Sequence, residues 1–256
     1  MTTLSPFDFS GRSALVTGAA SGIGASCVRA LDRGGAGKLI LVDVDEVGLN
    51  ALDLQCSDVV LVSGSVADAE LWTRIAADLA GIDHAVINAG IGGSGEIADL
   101  DLAEWRRVMA VNLDGAFLTL SAALKAMKSS GGGSAVVTAS ITGIKPVPGI
   151  GPYGVAKAGV AHMARIAAAE NAKHNIRVNA IAPGGVDTAI WEGGEDFLKS
   201  VEENGRAATL KAMAKTTPRG QFATADELAG EIAFLLSDMA ANITGTVLVS
   251  DGGYSF

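Results

Sequence analysis

The sequence alternates short apolar runs, rich in Val, Ile and Leu, with longer segments that have helical periodicity. Strands that read as continuous apolar runs are buried on both faces, and the helices between them supply the cover. The alternation therefore predicts an α/β fold, a Rossmann-type doubly wound sheet of seven parallel strands with helices on both faces. The predicted strands are 13–18, 38–45, 58–64, 83–90, 134–140, 176–183 and 245–253.

The segments between these strands predict helices over 23–33, 69–80, 103–128, 152–173 and 225–237. Because no linker and no internal repeat is visible, we interpret 1–256 as one domain. Residues 184–223 form the one long region that we expect to be irregular. A loop of that length inside a compact domain is usually functional, so we expect a lid or a substrate-binding loop there.

Composition and charge exclude several classes of partner. The net charge of −9 argues against nucleic acid, whose phosphate backbone needs clustered Lys and Arg. No apolar run approaches the roughly 18 residues of a membrane-spanning helix, and residues 1–12 lack the pattern of a secretory signal. Cys27 and Cys56 indicate neither a disulfide framework nor a metal site, and two free thiols suit a reducing, cytoplasmic location.

The stretch TGAASGIG, residues 17–24, lies between the first predicted strand and the first predicted helix. Gly18 permits a tight exit from the strand, while Gly22 and Gly24 allow backbone to approach a pyrophosphate. The free N–H groups of the helix N-terminus also favour a phosphate. The alternative is a glycine turn that binds no ligand. We expect a dinucleotide site because an acidic residue stands at the end of the second predicted strand.

This acidic residue, Asp43, comes nineteen residues after Gly24, at the carboxyl end of the second predicted strand. An acidic residue there accepts hydrogen bonds from the ribose hydroxyls and repels a 2′-phosphate. Residue 21 is Ser, and neither residue 21 nor residue 44 is basic. The sequence therefore favours NAD over NADP, although Asp43 as a cap for the following helix is an alternative.

The chain has only two tyrosines, and one of them, Tyr153, lies four residues before Lys157. Pro152 marks a helix start, which places both side chains on one face of the helix. A phenol has a pKa of about 10, and a neighbouring ammonium favours its phenolate. The pair is a weak motif alone, but it predicts a general acid/base if other polar groups accompany it.

Two further polar residues are expected at the same sheet edge. Ser140 ends the fifth predicted strand, where its hydroxyl could hold the oxygen of a substrate beside Tyr153. Asn112 interrupts an apolar helical stretch, and a buried Asn needs partners, which could include water linked to Lys157. The alternatives are a capping or turn role for Ser140 and a structural helix distortion at Asn112.

With these residues the chain resembles the short-chain dehydrogenase/reductase family over about 11–254. The resemblance implies a catalytic tetrad, Asn112, Ser140, Tyr153 and Lys157. Residues and resemblance together predict these cofactor contacts: Gly18, Ser21, Gly22, Ile23, Gly24, Asp43, Ser65, Val66, Asn88, Ala89, Gly90, Tyr153, Lys157, Pro183, Gly184, Val186 and Thr188.

The resemblance also implies a role for each member of the tetrad. Tyr153 would exchange the proton, and Ser140 would orient the substrate. Lys157 would bind the nicotinamide ribose, lower the pKa of Tyr153 and join a proton relay through water that Asn112 holds. The hydride transfer itself belongs to the cofactor.

The chain departs from the family pattern at two positions. Ile87 stands where the family often has Asn, and we expect little effect. Ser65 stands where an Asp commonly contacts adenine, which weakens the assignment of Ser65 and Val66. The family further implies a homotetramer. We expect small residues of the helix that follows Tyr153 to serve that contact, with a monomer as the alternative: Ala156, Ala161, Ala164 and Ala167–Ala169.

The sequence leaves three functions open. The first is an NAD-dependent dehydrogenase or reductase of secondary alcohols and ketones, with an apolar, cyclic or aromatic substrate. The second is a 3-oxoacyl-carrier-protein reductase that uses NADPH, which Asp43 and Ser21 oppose. The third is a non-catalytic NAD sensor, which the complete tetrad opposes. The walls of the substrate site are expected from these residues: Ser140, Ile141, Thr142, Ile144, Pro148, Ile150, Tyr153, Trp191 and Phe197. Lys145 is expected to face solvent rather than an anionic substrate group.

Overall fold

The structure, a computed structural model, describes residues 7–193 and 195–256. The strands in these ranges are β1 (Ser13–Thr17), β2 (Lys38–Asp43), β3 (Val59–Ser63), β4 (His84–Ile87), β5 (Gly133–Thr138), β6 (Ile176–Pro183) and β7 (Val247–Ser250). They form one parallel sheet in the order β3-β2-β1-β4-β5-β6-β7. The strand order reverses between β1 and β4, and ligands of open α/β sheets bind in the crevice at such a point.

Helices cover both faces of the sheet. Those in the described ranges are α1 (Gly22–Arg33), α2 (Glu46–Asn50), α3 (Ala69–Arg74), α4 (Leu102–Met109), α5 (Ala116–Ser130), α6 (Gly151–Asn171), α7 (Glu195–Asn204), α8 (Arg206–Met213) and α9 (Ala225–Leu236). One core lies between the sheet and α1 and α9, and the other lies between the sheet and α3, α5 and α6. The predicted fold class is confirmed.

The expectation that 184–223 is irregular is wrong, because this segment contains α7 and α8. Phe197 of α7 is buried and packs with its ring centroid 6.4 Å from that of Trp191. Gly205, with φ of +80°, separates the two helices. Each helix is shorter than the window in which periodicity is readable, so the segment has no clear pattern. The sequence also missed α2, and α3 ends at Arg74 rather than at residue 80.

The alanines of α6 are used inside the chain. Ala161, Ala164, Ala167 and Ala168 are buried in the core against the sheet, and Ala156 is buried as well. The expectation that they serve contact between subunits is therefore wrong for these five, because their surface is already covered. Their small size instead lets α6 lie close to the strands.

The run of helix Leu102–Ser130 joins α4 and α5 through a π-helical turn at Ala110–Gly115. By its length and mean hydropathy this helix could span a membrane. The sequence predicts no such segment, because it contains no continuous apolar run of that length. Its buried residues, including Leu120 and Met127, belong to the core beneath the sheet. A core helix passes the same test of length and hydropathy. The N-terminal residues 1–6, on which the expectation of no secretory signal partly rests, lie outside the described ranges.

The buried residue His84 is the first residue of β4 and lies at the end of this strand opposite to the crevice. Nδ1 of His84 lies 2.8 Å from the Ser134 hydroxyl, which donates to the Leu236 carbonyl. The His84 and Phe9 rings pack edge to face with 5.2 Å between their centroids, and the buried Nε2 of His84 has no hydrogen-bond partner among the described residues. Burial lowers the pKa of His84 from 6.5 to about 4. The protein therefore holds this ring neutral.

Protonation of His84 should destabilise the fold in acid. Between pH 6.5 and about 4 the unfolded chain binds a proton at His84 that the folded chain does not bind. The free energy of unfolding therefore decreases as the pH decreases through this range. The loss at this one group is about 3 kcal/mol. Urea unfolding across this range should show a shallower pH dependence in His84→Gln, which has no titrating ring. The variant His174→Gln, at an exposed position, is the control and should keep the wild-type dependence. Equal slopes in all three proteins would contradict this role of His84.

Candidate active site

The turn between β1 and α1 requires glycine for steric reasons. Gly18 and Gly22 have φ of +66° and +51°, in the left-handed region that side chains disfavour. A Cβ at Gly24 would lie 1.8 Å from the Gly18 carbonyl oxygen. Ser21 is the N-cap of α1, but its side chain makes no capping bond and is exposed, so its hydroxyl is available to a ligand. The turn thus forms a cradle with free helix N–H groups, which fits a dinucleotide phosphate.

The segment after β6 reaches this turn from the other side. A Cβ at Gly22 would lie 3.2 Å from Cγ2 of Thr188. Gly184 donates its N–H to the Ser250 carbonyl, and a Cβ there would lie 2.8 Å from Cα of Asp251. The structure therefore brings Thr188 and the glycine turn together, as expected of a shared cofactor site. Val186, by contrast, has its side chain in the core.

The Asp43 carboxylate is held by backbone. It accepts hydrogen bonds from the N–H groups of Ala20, at 2.9 Å, and Asp45, at 3.0 Å. Asp45, not Asp43, is the N-cap of α2 and accepts from the Gly48 N–H. The alternative that Asp43 caps this helix is therefore wrong. Instead, Asp43 is fixed between the glycine turn and the end of β2, with its charge at the crevice.

Asn88 and Ala89 join neighbouring strand ends. The Thr17 hydroxyl accepts from the N–H groups of both residues, at 3.0 and 3.2 Å. The Asn88 side chain donates to the Thr17 carbonyl and accepts from the Thr138 hydroxyl. The amide of Asn88 thus connects the ends of β1 and β5. This side chain therefore fixes the two strand ends relative to each other.

The two weaker cofactor assignments lie at the end of β3. Ser65 accepts from the Ala67 N–H through its hydroxyl. The Val66 side chain is 5% exposed and packs toward Gly115, where a Cβ would lie 2.6 Å away. A cofactor contact at Val66 is therefore restricted to its backbone, since its side chain is part of the core.

Lys157 is the most deeply buried cation of the site. Its side chain lies in the second turn of α6, and the residue is 3% exposed. Its Nζ donates to the Thr138 carbonyl at 2.8 Å. Burial lowers the pKa of Lys157 to about 8, because water no longer solvates the ammonium. At pH 7 most of the lysine still carries its proton.

Tyr153 does not have the lowered pKa that was expected. Burial raises the pKa of Tyr153 to about 12, and the hydrogen bond with Ser140 offsets part of this rise. Nζ of Lys157 lies 5.7 Å from the centroid of the Tyr153 ring and points to Thr138. Desolvation of the phenol therefore outweighs the nearby ammonium in this structure. The phenol therefore retains its proton at neutral pH.

Asn112 is fully buried in the π-helical turn. Its side chain donates to the carbonyls of Ile91 and Val108 and accepts from the Ile91 N–H. These bonds attach the loop after β4 to the helix, so the interpretation as a helix distortion is right about its structural role. A Cβ at Gly90 would lie 2.7 Å from Oδ1 of Asn112 and 3.4 Å from Nζ of Lys157. The structure thus places both Asn112 and Lys157 next to Gly90.

Ser140 forms the N-cap of a 3₁₀ turn, as the alternative interpretation proposed. Its Oγ accepts from the N–H and from the hydroxyl of Thr142, at 3.2 and 3.0 Å. It also hydrogen-bonds the Tyr153 phenol. Capping and contact with Tyr153 are therefore compatible, and both set the position of the hydroxyl.

The expected substrate walls are only partly brought together. Nε1 of Trp191 donates to the Val186 carbonyl, and the ring stacks on Phe222 at 5.5 Å between centroids. Ile144 lines a surface groove of about 380 Å³ that no member of the tetrad lines. Lys145 does not simply face solvent, because its Nζ donates to the Tyr254 carbonyl at 2.7 Å and lies 4.4 Å from that ring's centroid.

Sequence reasoning missed three residues that organise the site. Thr138 binds Lys157 through its carbonyl, a role that any residue type could fill, so no signal marks it. Thr17 was visible only as part of the glycine motif. Arg206 donates to Asp187, Glu192 and the Thr188 carbonyl, and so ties α8 to the segment over the glycine turn. Its signal was a basic residue shortly after the acidic pair Glu202 and Glu203.

The chain is similar to known proteins over nearly its whole length. A family profile described as enoyl-(acyl carrier protein) reductase matches residues 18–255. The chain is 39% identical to cis-4-hydroxycyclohexanecarboxylate dehydrogenase from Sinomonas cyclohexanicum, over 96% of this chain and 98% of the relative.

The chain also aligns with solved structures over nearly its whole length. The structure of levodione reductase aligns with a TM-score of 0.85 and 35% identity, over 96% of this chain and 98% of that one. A short-chain type dehydrogenase/reductase from Mycobacterium marinum aligns with a TM-score of 0.84 and 31% identity, over 98% of both chains.

The contact at Gly90 can be tested with a matched pair of substitutions in one loop. Gly90→Ala should displace Asn112, whose Oδ1 would lie 2.7 Å from the added methyl, and weaken NADH binding about tenfold, a loss of about 1.4 kcal/mol. Gly92→Ala adds the same methyl group where the nearest atom is 3.4 Å away, and it should bind NADH within about twofold of wild type. Fluorescence titration with NADH measures both. Equal affinity of the two variants would contradict a role of the close Gly90–Asn112 contact in the cofactor site.

Proposed function

The chain belongs to the short-chain dehydrogenase/reductase family, and we propose that it is an NAD-dependent enzyme that interconverts a secondary alcohol and a ketone. The coarser statement follows from the family and its named members: it is an alcohol/ketone oxidoreductase that uses a nicotinamide cofactor. The choice of NAD, the cyclic substrate and the role of Tyr153 are our proposal.

The observation that carries the proposal is the hydrogen bond between Tyr153 and Ser140 beside buried Lys157. All three lie at the carboxyl edge of the sheet, next to the cradle formed by the glycine turn. A phenol at this place can exchange a proton with an oxygen that the Ser140 hydroxyl also contacts. When bound, the nicotinamide supplies the hydride acceptor or donor.

The residues divide the proton chemistry between them. In ketone reduction Tyr153 donates its proton to the substrate oxygen, and its raised pKa keeps that proton in place until then. Ser140 donates to the same oxygen as negative charge develops there, which stabilises the transition state. In alcohol oxidation the proton moves the other way, and Lys157, still charged near neutral pH, favours the phenolate.

The preference for NAD rests on Asp43. Its carboxylate is held by two backbone N–H groups, so it cannot easily turn away from the crevice. A fixed carboxylate can accept from two ribose hydroxyls, whereas a 2′-phosphate would meet its charge directly. The position of Asp43 between the glycine turn and β2 supports this preference.

The proposed substrate is an apolar cyclic alcohol or ketone. Trp191, Phe222 and Phe197 form one aromatic group in the segment that follows Thr188. An apolar ring gains from such surroundings through burial of its surface. Two of the relatives are named for a hydroxycyclohexane carboxylate and for levodione, which supports a cyclic substrate here.

One finding favours a second candidate, an NADPH-dependent 3-oxoacyl-carrier-protein reductase. The matching family profile carries an acyl-carrier-protein description. Against it, the residues at the glycine turn and after β2 are Ser21, Asp43 and Val44, none of which is basic. Turnover of an acyl thioester with NADPH, and none of a cyclic alcohol with NAD, would favour this candidate. NADH binding without any turnover would favour a sensor.

Assembly as a homotetramer is also part of the proposal. With the α6 alanines buried, support comes from apolar side chains that remain exposed on α5 and α6: Phe117 at 56%, Val155 at 45% and Ile166 at 48%. A second copy of the chain would cover them. A cytoplasmic location is proposed as well, since Cys27 and Cys56 are free thiols.

Replacing each tyrosine by Phe separates catalysis from structure. Tyr153→Phe should lower kcat for alcohol oxidation at least about a hundredfold, because it removes the proton acceptor. NADH affinity, measured by fluorescence, should remain within about twofold of wild type. Tyr254→Phe is the matched control and should retain turnover, because Lys145 contacts the Tyr254 ring and carbonyl. A Tyr153→Phe enzyme with full activity would remove Tyr153 from the mechanism.

Cofactor choice can be tested by removing one charge at either of two neighbouring positions. Asp43→Asn should lower kcat/KM with NAD and raise it with NADP, reducing the preference about tenfold or more, because repulsion of the 2′-phosphate is lost. Asp45→Asn removes an equal charge but leaves a good N-cap on α2, and it should keep the wild-type preference. If both variants discriminate as the wild type does, Asp43 does not set the cofactor.

A further inference from the structure

The Ser140 hydroxyl oxygen accepts two hydrogen bonds, both from Thr142. Its Oγ accepts the Thr142 backbone N–H at 3.2 Å and the Thr142 hydroxyl at 3.0 Å. A serine oxygen has two acceptor sites and one proton. Thr142 therefore occupies both acceptor sites. The only hydrogen bond left to Ser140 is the one that it donates.

The remaining proton of Ser140 can be donated to the Tyr153 phenol or, in the proposed reaction, to a substrate oxygen. The Tyr153 phenol is its neighbour, and this bond lowers the pKa of Tyr153 against the effect of burial. A bond that lowers the pKa of a phenol is one donated to the phenolate. Donors that act on Ser140 Oγ also polarise its O–H, because successive hydrogen bonds strengthen one another in a buried site.

We propose that the Thr142 hydroxyl is a positioning residue for catalysis: it donates to Ser140 and thereby directs the Ser140 proton toward Tyr153 and the reacting oxygen. This inference rests on the proposed alcohol/ketone chemistry. As part of the wall of the substrate site, Thr142 would contact the substrate. In this proposal its hydroxyl instead contacts a protein side chain, that of Ser140. In alcohol oxidation the effect favours the phenolate, and in ketone reduction it favours donation to the substrate.

Two substitutions separate the hydroxyl of Thr142 from its methyl group. Thr142→Val keeps the branched shape but removes the donor, while Thr142→Ser keeps the donor but removes the methyl. Neither change removes the backbone N–H that caps the turn. If Thr142 acted through a contact with the substrate, Thr142→Ser would be the more harmful change. If it acts by directing the Ser140 proton, only Thr142→Val should be harmful.

Turnover gives the first readout. Thr142→Val should lower kcat for oxidation of a cyclic secondary alcohol roughly three- to tenfold, the effect of one neutral hydrogen bond, with KM for NAD unchanged. The rising limb of the pH profile of kcat should move to higher pH in Thr142→Val, because the Tyr153 phenolate loses part of its stabilisation. Thr142→Ser should restore the wild-type pH profile.

A second readout needs no substrate. In a Tyr254→Phe background, Tyr153 is the only tyrosine of the chain, so ¹³Cζ-labelled tyrosine gives one resonance. That resonance should move when Thr142→Val is added and should stay when Thr142→Ser is added. An unchanged resonance in the Val variant, or equal kinetic losses in Val and Ser, would overturn the inference. If the wild-type protein oxidises no alcohol, the proposed function fails and the resonance alone decides the role of Thr142.

Discussion

A continuous set of hydrogen bonds across the strand ends is the constraint on which the site depends. It begins at Thr17, passes through Asn88 to Thr138, and ends at the ammonium of Lys157. Each bond joins residues that are distant in sequence, so the carboxyl ends of β1, β4 and β5 are held in register with α6. The strand end that leads into the glycine turn is thereby joined to Lys157 by one chain of hydrogen bonds.

Burial determines the charge state of the reactive pair. It raises the pKa of Tyr153 to about 12 and lowers that of Lys157 to about 8, so it favours the neutral form of each. The hydrogen bond with Ser140 moves the phenol toward ionisation, against the effect of burial. The arrangement keeps the proton on Tyr153 until an oxygen is placed beside it. A site with this balance suits a group that both gives and takes a proton as the reaction reverses.

Much of the fold and of the tetrad could be predicted because their signals are local. The apolar runs that became β1 to β7 are continuous, and Tyr153 and Lys157 are separated by one helical turn. Other features depend on contacts that a sequence does not display. The shorter helices α7 and α8 are placed by packing, with Phe197 against Trp191. The alanines of α6 were assigned to the wrong neighbour, since small residues pack equally well on their own sheet. The pKa of Tyr153 was expected to fall because the pattern shows Lys157 but not the burial.

The central proposal is that hydride moves in this crevice from a secondary carbinol carbon to NAD. The most direct test is to supply cyclic secondary alcohols with deuterium on the carbinol carbon and to analyse the reduced cofactor by mass spectrometry. We predict that deuterium appears in the reduced dinucleotide, with NAD preferred over NADP. Reduced cofactor that lacks deuterium, or none from any cyclic alcohol although the dinucleotide binds, would contradict this proposal.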